Sequence, residues 1–304
     1  MKLLKKATLL VAAALTLGFI SCKQDSGSTS SNELPGTIGG KDNKNDTFYG
    51  KTFYDNADKN KALTCYDFSE EGTVTVKYRT APSKGFVPTT ESKYSISDDG
   101  KNVYMKVLKA PTPETDPKLL SEEEFITYAK QILASELKEY REKQPAAINS
   151  LCYGLDIPTT SSDSEIIEAS IKNIRKSFSS KYTFTLENGT SPKGKLTEVI
   201  TWKNDLSNFI SMSGIYYENN EDYDFRLYFS MITGIDGSYQ IKSKNYTNNI
   251  VYSKSKNKFI NTADGSEISY TISDDGTKIT ITADGKEMVA IYEPQVIELF
   301  EATE

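Results

Sequence analysis

The sequence predicts a mainly β protein, in which antiparallel strands form a meander that closes into a barrel and is interrupted along the chain by a two-helix insertion. Three observations predict it. Apolar and polar residues alternate at both ends of the folded region, a turn motif recurs after alternating strands, and a central segment has apolar residues at helical spacing. The other arrangement that fits the pattern is two small β units separated by the helices.

Residues 1–21 have the features of an export signal. Lys2, Lys5 and Lys6 form a basic start, and an apolar run follows from Ala7 to Ile20. This run is shorter than the roughly 20 residues needed to cross a bilayer core of ~30 Å, which argues against a retained transmembrane helix. The alternative is an ordinary secretory signal followed by an incidental cysteine.

The end of this signal resembles the lipobox of bacterial lipoproteins. The segment Phe19-Ile20-Ser21-Cys22 places a small residue directly before a cysteine, and its relaxed form is similar to the lipoboxes of spirochaetes. The resemblance implies cleavage before Cys22 and attachment of lipid, with acyl chains such as palmitate, to that cysteine. It also implies a cell-envelope location, lipid-anchored on the periplasmic or outer surface of a bacterial membrane.

Residues 22–47 follow as the lipidated cysteine and a tether. They are almost entirely Ser, Gly, Thr, Asn, Asp and Lys, with Leu34 and Ile38 as the larger apolar side chains. A segment of this composition buries too little apolar surface to offset the entropy of ordering it. The composition therefore predicts a disordered tether up to Thr47.

Two β parts are predicted, over residues 48–110 and 179–304. In Thr73 to Arg79, apolar side chains occupy every second position, and the stretch from Tyr223 to Met231 repeats this pattern more strongly. Alternation with a period of two residues is typical of strands with one buried face.

A short repeat marks the turns between strands. Tyr66 to Gly72, Tyr94 to Gly100 and Tyr270 to Gly276 each contain an aromatic, an alternating strand, an acidic pair and a glycine, and Tyr182 to Gly189 is a looser copy. Acidic residues tolerate turns, and glycine supplies a positive φ. The repeat therefore predicts hairpins and not a calcium site.

The insertion, residues 111–178, is predicted to contain two amphipathic helices. Ser121 and Glu124 have the spacing of a capping box, and this helix is expected to stop before Pro145. Ser162 and Glu165 form a second capping box. Their apolar stripes predict docking against a sheet.

Composition limits the possible functions. The chain has no histidine, which excludes Ser-His-Asp and Cys-His catalysis and histidine-ligated zinc. The formal charge is −6, and removal of the three lysines of residues 1–21 makes it −9, which argues against nucleic acid as a partner. No cofactor is expected, and catalysis is less favoured than binding.

Two local features resemble binding sites. Gly189 to Lys195 begins like a phosphate-binding loop, but Leu196 replaces the Ser or Thr that holds magnesium, so no nucleotide is expected. Glu221, Asp222 and Asp224 are weak calcium candidates without EF-hand spacing, and a solvated turn is favoured. No metal site is therefore predicted.

The two cysteines that remain after lipidation of Cys22 are Cys65 and Cys152. Their separation gives no disulfide signature, so a bridge and two buried thiols both remain open.

Together these features resemble the lipocalin-like lipoproteins of spirochaetes and related bacteria. The resemblance rests on the lipobox, the tether, the opening strand Phe48 to Phe53 and the repeated hairpins. It implies a β-barrel fold. In lipocalins a Gly-x-Trp motif plugs the barrel, whereas here Gly50 is followed by Thr52 and Phe53 without a tryptophan.

The expected function is that of a non-enzymatic cell-envelope lipoprotein, held to the membrane through Cys22, that binds a small apolar ligand in a barrel or a partner protein. The aromatic strands, the lipobox and the missing histidines favour this expectation. The alternatives are a glycan-acting hydrolase that uses a carboxylate pair, and a surface adhesin.

Overall fold

The computed structural model describes residues 34–112, 117–179, 181–186, 193–195, 206, 214–230, 232–294 and 296–301. The predicted signal peptide, Cys22 and the first part of the tether lie outside the described residues. No helix within these ranges is both long and apolar enough to cross a membrane.

The described chain is mainly β, with three α-helices. The elements in chain order are β1 Thr37–Ile38, β2 Thr52–Tyr54, β3 Thr64–Phe68, β4 Thr73–Tyr78, β5 Val87–Ile96, β6 Asn102–Pro111, β7 Leu119–Ser121, α1 Glu122–Lys143, α2 Pro145–Leu155, α3 Asp163–Ser179, β8 Tyr182–Leu186, β9 Lys193–Lys195, β10 Gly214–Asn219, β11 Tyr223–Ser230, β12 Gly234–Ile241, β13 Tyr246–Ser253, β14 Lys258–Asn261, β15 Glu267–Ile268, β16 Tyr270–Ile272, β17 Lys278–Ala283, β18 Lys286–Pro294, β19 Val296–Glu298 and β20 Phe300–Glu301.

The first sheet contains β2 to β6, β8 and β9 in a continuous antiparallel order, with β1 beside β5 and β7 beside β6. Its two edges meet the same C-terminal segment, because β19 pairs with β9 and β20 pairs with β2. A single residue, Leu299, separates those two strands. The seven strands and this split eighth strand therefore form a closed ring of pairings, which we call the first barrel.

The second sheet contains β10 to β18 and is barrel-shaped and nearly closed. Its first and last strands pair directly, with Tyr216 opposite Tyr292. The ring is completed by another split strand, since β15 pairs with β14 and β16 pairs with β17. This second barrel is thus an up-and-down meander in which sequence neighbours are also neighbours in space.

The predicted fold class is confirmed: the chain is mainly β and antiparallel, with a barrel and a helical insertion. The structure adds that the strands of residues 179–304 are divided. β8, β9, β19 and β20 belong to the first sheet, and β10 to β18 form the second. Alternation identifies the buried face of a strand but carries no information about its partner.

The repeated motif forms hairpin turns, as predicted. Gly72, Gly100 and Gly276 have φ angles of +80°, +68° and +69°, and each lies between two antiparallel strands. In the copies that end at Gly100 and Gly276, the second acidic residue, Asp99 or Asp275, accepts hydrogen bonds from residues of the same turn. Hydrogen bonds from Ser273 and from the backbone and hydroxyl of Thr277 lower the pKa of Asp275 to about 2.

Both predicted capping boxes are present. Glu124 accepts hydrogen bonds from the backbone and hydroxyl of Ser121, and Glu165 accepts the same pair from Ser162. The structure adds a third helix, α2, that begins at Pro145. Because proline lacks an N–H, Pro145 cannot continue α1, which ends at Lys143. Proline is accepted in the first turn of a helix, and Pro145 therefore begins α2.

Helix α2 docks on the second barrel. A side chain at Gly154 would lie 2.6 Å from Cβ of Thr233, so the helix approaches the barrel where a glycine allows it. At its end Asp156 accepts hydrogen bonds from the hydroxyls of Ser253 and Ser255, both at 2.7 Å. These contacts dock α2, a helix that the sequence did not predict, against the second sheet.

Both barrels have side-chain cores. In the first, Phe48, Phe53, Phe68 and Tyr94 form a chain of ring contacts with centroids 5.1–5.8 Å apart. The inward side chains of the second form one continuous cluster, which includes Tyr216, Phe225, Leu227, Tyr239, Ile250, Tyr252, Phe259, Ile279, Ile281 and Met288. Cys65 and Cys152 are buried free thiols.

The prediction of a disordered tether up to Thr47 is wrong for residues 34–47, which are folded onto the first barrel. We call residues 34–50 the strap. β1 pairs with the end of β5, and the backbone N–H of Lys41 donates to the carbonyl of Glu70 in the first hairpin. Glycine makes this approach possible, because a side chain at Gly72 would lie 2.3 Å from the carbonyl oxygen of Gly39.

The buried carboxylate of Asp46 fixes the strap. One oxygen accepts from the backbone N–H of Gly40 and the hydroxyl of Tyr94, both at 2.6 Å, and the other accepts from the N–H of Phe48 at 2.7 Å and of Tyr49 at 3.2 Å. Burial, followed by the interaction with Asp46, raises the pKa of Tyr94. The strap is therefore ordered by specific hydrogen bonds and by the buried ring of Phe48.

Candidate functional site

One end of the second barrel collects polar and charged side chains. Connections between strands of a meander alternate between the two ends, so residues 220–222, 242–245, 262–266 and 284–285 all lie at the same end. We call this end the polar mouth. Mouths of β-barrels are frequent places for ligand sites.

Two asparagines occupy inward positions just inside the polar mouth. Asn248 precedes the core residue Ile250 by two positions on β13, and Asn261 follows Phe259 by two on β14. Both are buried, and the amide of Asn261 donates to the side-chain oxygen of Asn248 at 3.4 Å. These two amides thus occupy inward positions, whereas the next inward positions on the same strands hold the core residues Ile250 and Phe259.

The asparagines connect to the surface through Asp284. One carboxylate oxygen of Asp284 accepts from the amide of Asn248 at 3.4 Å and from the hydroxyl of Tyr239 at 3.3 Å. Asp284 has a φ of +54° in the two-residue turn before Lys286, a conformation that Asp tolerates better than most residues. The four side chains form what we call the polar ladder: Tyr239, Asn248, Asn261 and Asp284.

Aromatic and basic side chains surround the ladder. Tyr246 lies two positions before Asn248 on the same face of β13, and 49% of it is exposed. Lys244 lies 3.7 Å from the second carboxylate oxygen of Asp284. Burial, then the nearby Asp284, raises the pKa of Tyr239, so this phenol stays protonated and donates.

The charges of the polar mouth are mostly neutralised within it. Lys286 pairs with Asp222 at 2.9 Å, and Lys244 pairs with Asp284. Hydrogen bonds from the hydroxyl and backbone of Ser266 hold the pKa of Asp264 below its usual range. The mouth therefore offers hydrogen-bonding groups more than net charge.

The weak calcium candidates have partners from the protein itself. Asp222 pairs with Lys286, and Asp224 forms two hydrogen bonds with Arg226, at 2.6 and 3.2 Å. Glu221 is exposed in the same turn. The part of the chain that the structure describes contains no group of three acidic or cysteine side chains placed to hold a metal ion.

A carboxyl group with an unusual pKa lies elsewhere, on the outward face of β12. Burial raises the pKa of Asp236 to about 6, although hydrogen bonds from Thr233 and Ser230 oppose the rise. A raised pKa is typical of a general acid. Among the described residues, the groups that shift this pKa are the hydroxyls of Thr233 and Ser230 and not a second carboxyl group, so they supply no carboxylate pair at Asp236.

Comparisons with known proteins found no matching family, no similar curated protein and no similar solved structure. The candidate site therefore rests on geometry.

Other sequence candidates fall partly or wholly outside the description. Cys22 does so entirely, and of Gly189 to Lys195 only residues 193–195 are described, as the backbone of β9. The polar ladder was not among the predicted sites. A signal was present, because Tyr246, Asn248, Ile250 and Tyr252 alternate along one segment, with one amide among aromatic and aliphatic residues.

Proposed function

We propose that this protein is a lipid-anchored, non-enzymatic binding protein of the bacterial cell envelope, which engages its ligand at the polar mouth. The polar ladder is the observation that carries the proposal. It places three buried hydrogen-bonding side chains and the partly exposed carboxylate of Asp284 at one barrel end, beside the exposed ring of Tyr246.

The filled core of the second barrel favours a surface site over a ligand held inside. Side chains from every part of the sheet meet along the barrel, including Phe225, Tyr239, Phe259 and Met288, each at most 2% exposed. Protein interiors are usually packed like organic crystals, so a continuous cluster of buried side chains along the barrel favours a ligand at the mouth over one held inside.

The strap supports anchoring close to a membrane. The 11 residues between Cys22 and Leu34 span at most ~40 Å when fully extended, which sets an upper limit on the distance from the anchor to the strap. Two or more acyl chains on Cys22 would make the attachment stable, since each buried methylene contributes about 0.8 kcal/mol.

Metabolic labelling with a clickable palmitate analogue tests the anchor. The wild-type protein should carry the label and fractionate with membranes, and Cys22→Ala should lose both properties. Cys65→Ala is the matched control, because it also removes one cysteine but leaves the lipobox intact. Label that persists in Cys22→Ala would refute lipid anchoring at this residue.

A further inference from the structure

The geometry points to a neutral, hydroxyl-rich ligand at the polar mouth, that is, a carbohydrate chain bound without cleavage. This inference rests on the proposed function, because it names the class of ligand for the same site. Four observations support it: the residue types of the ladder, the lengths of its hydrogen bonds, the exposed ring of Tyr246 and the local charge.

The composition of the ladder departs from local preferences, although the side-chain oxygen of Asn261 also closes a turn by accepting from the backbone N–H of Ala263 at 3.0 Å. Asparagine is depleted in strands, yet Asn248 and Asn261 occupy inward strand positions next to each other. Burying amides is costly unless they are well hydrogen-bonded. Such departures from local consistency are expected at functional sites.

The hydrogen bonds within the ladder are long. They measure 3.3–3.4 Å, whereas N–H···O bonds in proteins usually lie near 2.9–3.0 Å and O–H···O bonds are shorter still. Partners at this distance are held weakly, so a ligand can replace them at small cost. Amide, carboxylate and phenol together both donate and accept, which matches hydroxyl groups that do the same.

Tyr246 provides a flat apolar surface beside these polar groups. Its ring is the most exposed large hydrophobic side chain described, at 49%, and it lies on the same strand face as Asn248. The C–H faces of sugar rings pack on aromatic rings, while the sugar hydroxyls point sideways. Tyr246 and the ladder supply both kinds of contact at adjacent positions.

The local charge selects a neutral ligand. Lys244 and Lys286 pair with Asp284 and Asp222 within the mouth, and the third lysine described there, Lys242, donates to the backbone carbonyl of Asn220, so the cations of the mouth form no cluster that would attract an anion. The chain as a whole carries a formal charge of −6, which repels acidic polysaccharides at a distance. A neutral saccharide needs no cationic partner and is not repelled by the negative charge of the chain.

An array of immobilised neutral and acidic oligosaccharides tests the inference, with the whole lipidated protein purified in detergent. Neutral glycans should be retained, and Tyr246→Ala should weaken retention at least tenfold. Tyr49→Ala is the matched control, because it removes an exposed tyrosine from the strap and should leave retention unchanged. Equal retention by Tyr246→Ala and wild type would overturn the inference.

The double variant Asn248→Leu/Asn261→Leu separates a binding role from a structural one. The two leucines replace both partners of the bond between the asparagines, which by itself is often neutral, but the N–H of Ala263 loses its acceptor on Asn261 and Asp284 loses its donor on Asn248. We therefore expect a small fall in melting temperature together with at least a tenfold loss of glycan retention. A lower melting temperature with unchanged retention would assign the asparagines to folding alone and refute the inference.

The outcomes distinguish this inference from the proposed function. A lipid-labelled protein that retains no neutral glycan above the Asn248→Leu/Asn261→Leu background would refute the ligand class and leave the anchor intact. Glycan retention without lipid label on Cys22 would refute the anchor and support the ligand class.

Discussion

The two barrels each bring a carboxylate to one end, but they use it differently. In the first barrel Asp46 is buried and accepts four hydrogen bonds, three of them at 2.6–2.7 Å and three of them from backbone N–H groups. In the second, Asp284 is 31% exposed and accepts from two side chains at 3.3–3.4 Å. Asp46 fixes the strap through short bonds, whereas the longer bonds of Asp284 can be replaced by bonds to a ligand.

The partners and lengths of these hydrogen bonds distinguish a structural carboxylate from a candidate ligand-binding one. Bonds to backbone N–H groups fix the path of the chain, and short charge-assisted bonds are the strong ones. Long bonds among side chains at an exposed mouth stabilise little. Mutations should therefore affect folding in the first case and binding in the second.

The largest expected effect is that of Asp46→Ala. It leaves buried donors on Gly40, Phe48 and Tyr94 without their acceptor, and each such group costs about 1–3 kcal/mol. We expect the free energy of unfolding of the first barrel to fall by about 3–5 kcal/mol.

Thiol labelling in urea measures this loss for one barrel at a time. Cys65 lies in the first compact unit and Cys152 in the second, and both are buried. Burial raises the pKa of Cys65 to about 11, so its thiol reacts only after opening. In Asp46→Ala, labelling of Cys65 should begin at a lower urea concentration than in the wild type, whereas labelling of Cys152 should begin at the same concentration. If the urea concentration for Cys65 labelling does not change, Asp46 does not stabilise the first barrel.

A second prediction compares two glycines of the repeated hairpin. Gly72 and Gly100 both have positive φ, but a side chain at Gly72 would meet the strap at 2.3 Å, whereas one at Gly100 would meet nothing within 4 Å. Gly100→Ala should cost about 1–2 kcal/mol from backbone strain. Gly72→Ala should cost about 2 kcal/mol more in urea unfolding, and equal costs would show that the strap does not depend on this contact.

A third prediction concerns the buried acid of the second barrel. Asp236 has an ordinary pKa of 3.8 and a folded pKa of about 6, so the folded state binds the proton more tightly. Its protonated form stabilises the fold below about pH 4, and this contribution is lost as the pH rises through 6.

Asp236→Asn should therefore raise the free energy of unfolding at pH 7 by about 1–3 kcal/mol, since the residue keeps some exposure, and the gain should vanish below pH 4. Urea unfolding at pH 4, 5.5 and 7 measures it. A gain that is the same at all three pH values would show that ionisation of Asp236 is not its cause.

The smallest effect is expected at the polar mouth. Asp284→Asn keeps an oxygen acceptor and a residue type that tolerates positive φ, and its contacts are long. The free energy of unfolding should change by less than about 0.5 kcal/mol. A loss as large as that of Asp46→Ala would remove the contrast between the two carboxylates.

Local features of this fold follow from the sequence, whereas non-local ones do not. The hairpins at Gly72, Gly100 and Gly276 and both capping boxes were predicted, because each depends on a few adjacent residues. The split strands that complete each ring were not predicted. Their register depends on partners far away in the sequence.

The strap and the polar ladder show a second limit. Residues 34–47 have the composition of a linker, and what orders them is one carboxylate, Asp46, whose partners include the distant Tyr94. Likewise Asn261 and Asp284 meet only through Asn248 once the barrel has formed. Composition averages over such single contacts, so it cannot detect them.

The strap also determines how a mechanical force would enter the molecule. With the proposed anchor at Cys22, a pull from the membrane side acts on β1 beside the end of β5 and on the bonds of Asp46 before it reaches β2. The strand pairs of the first barrel would then bear the force only after the strap has detached.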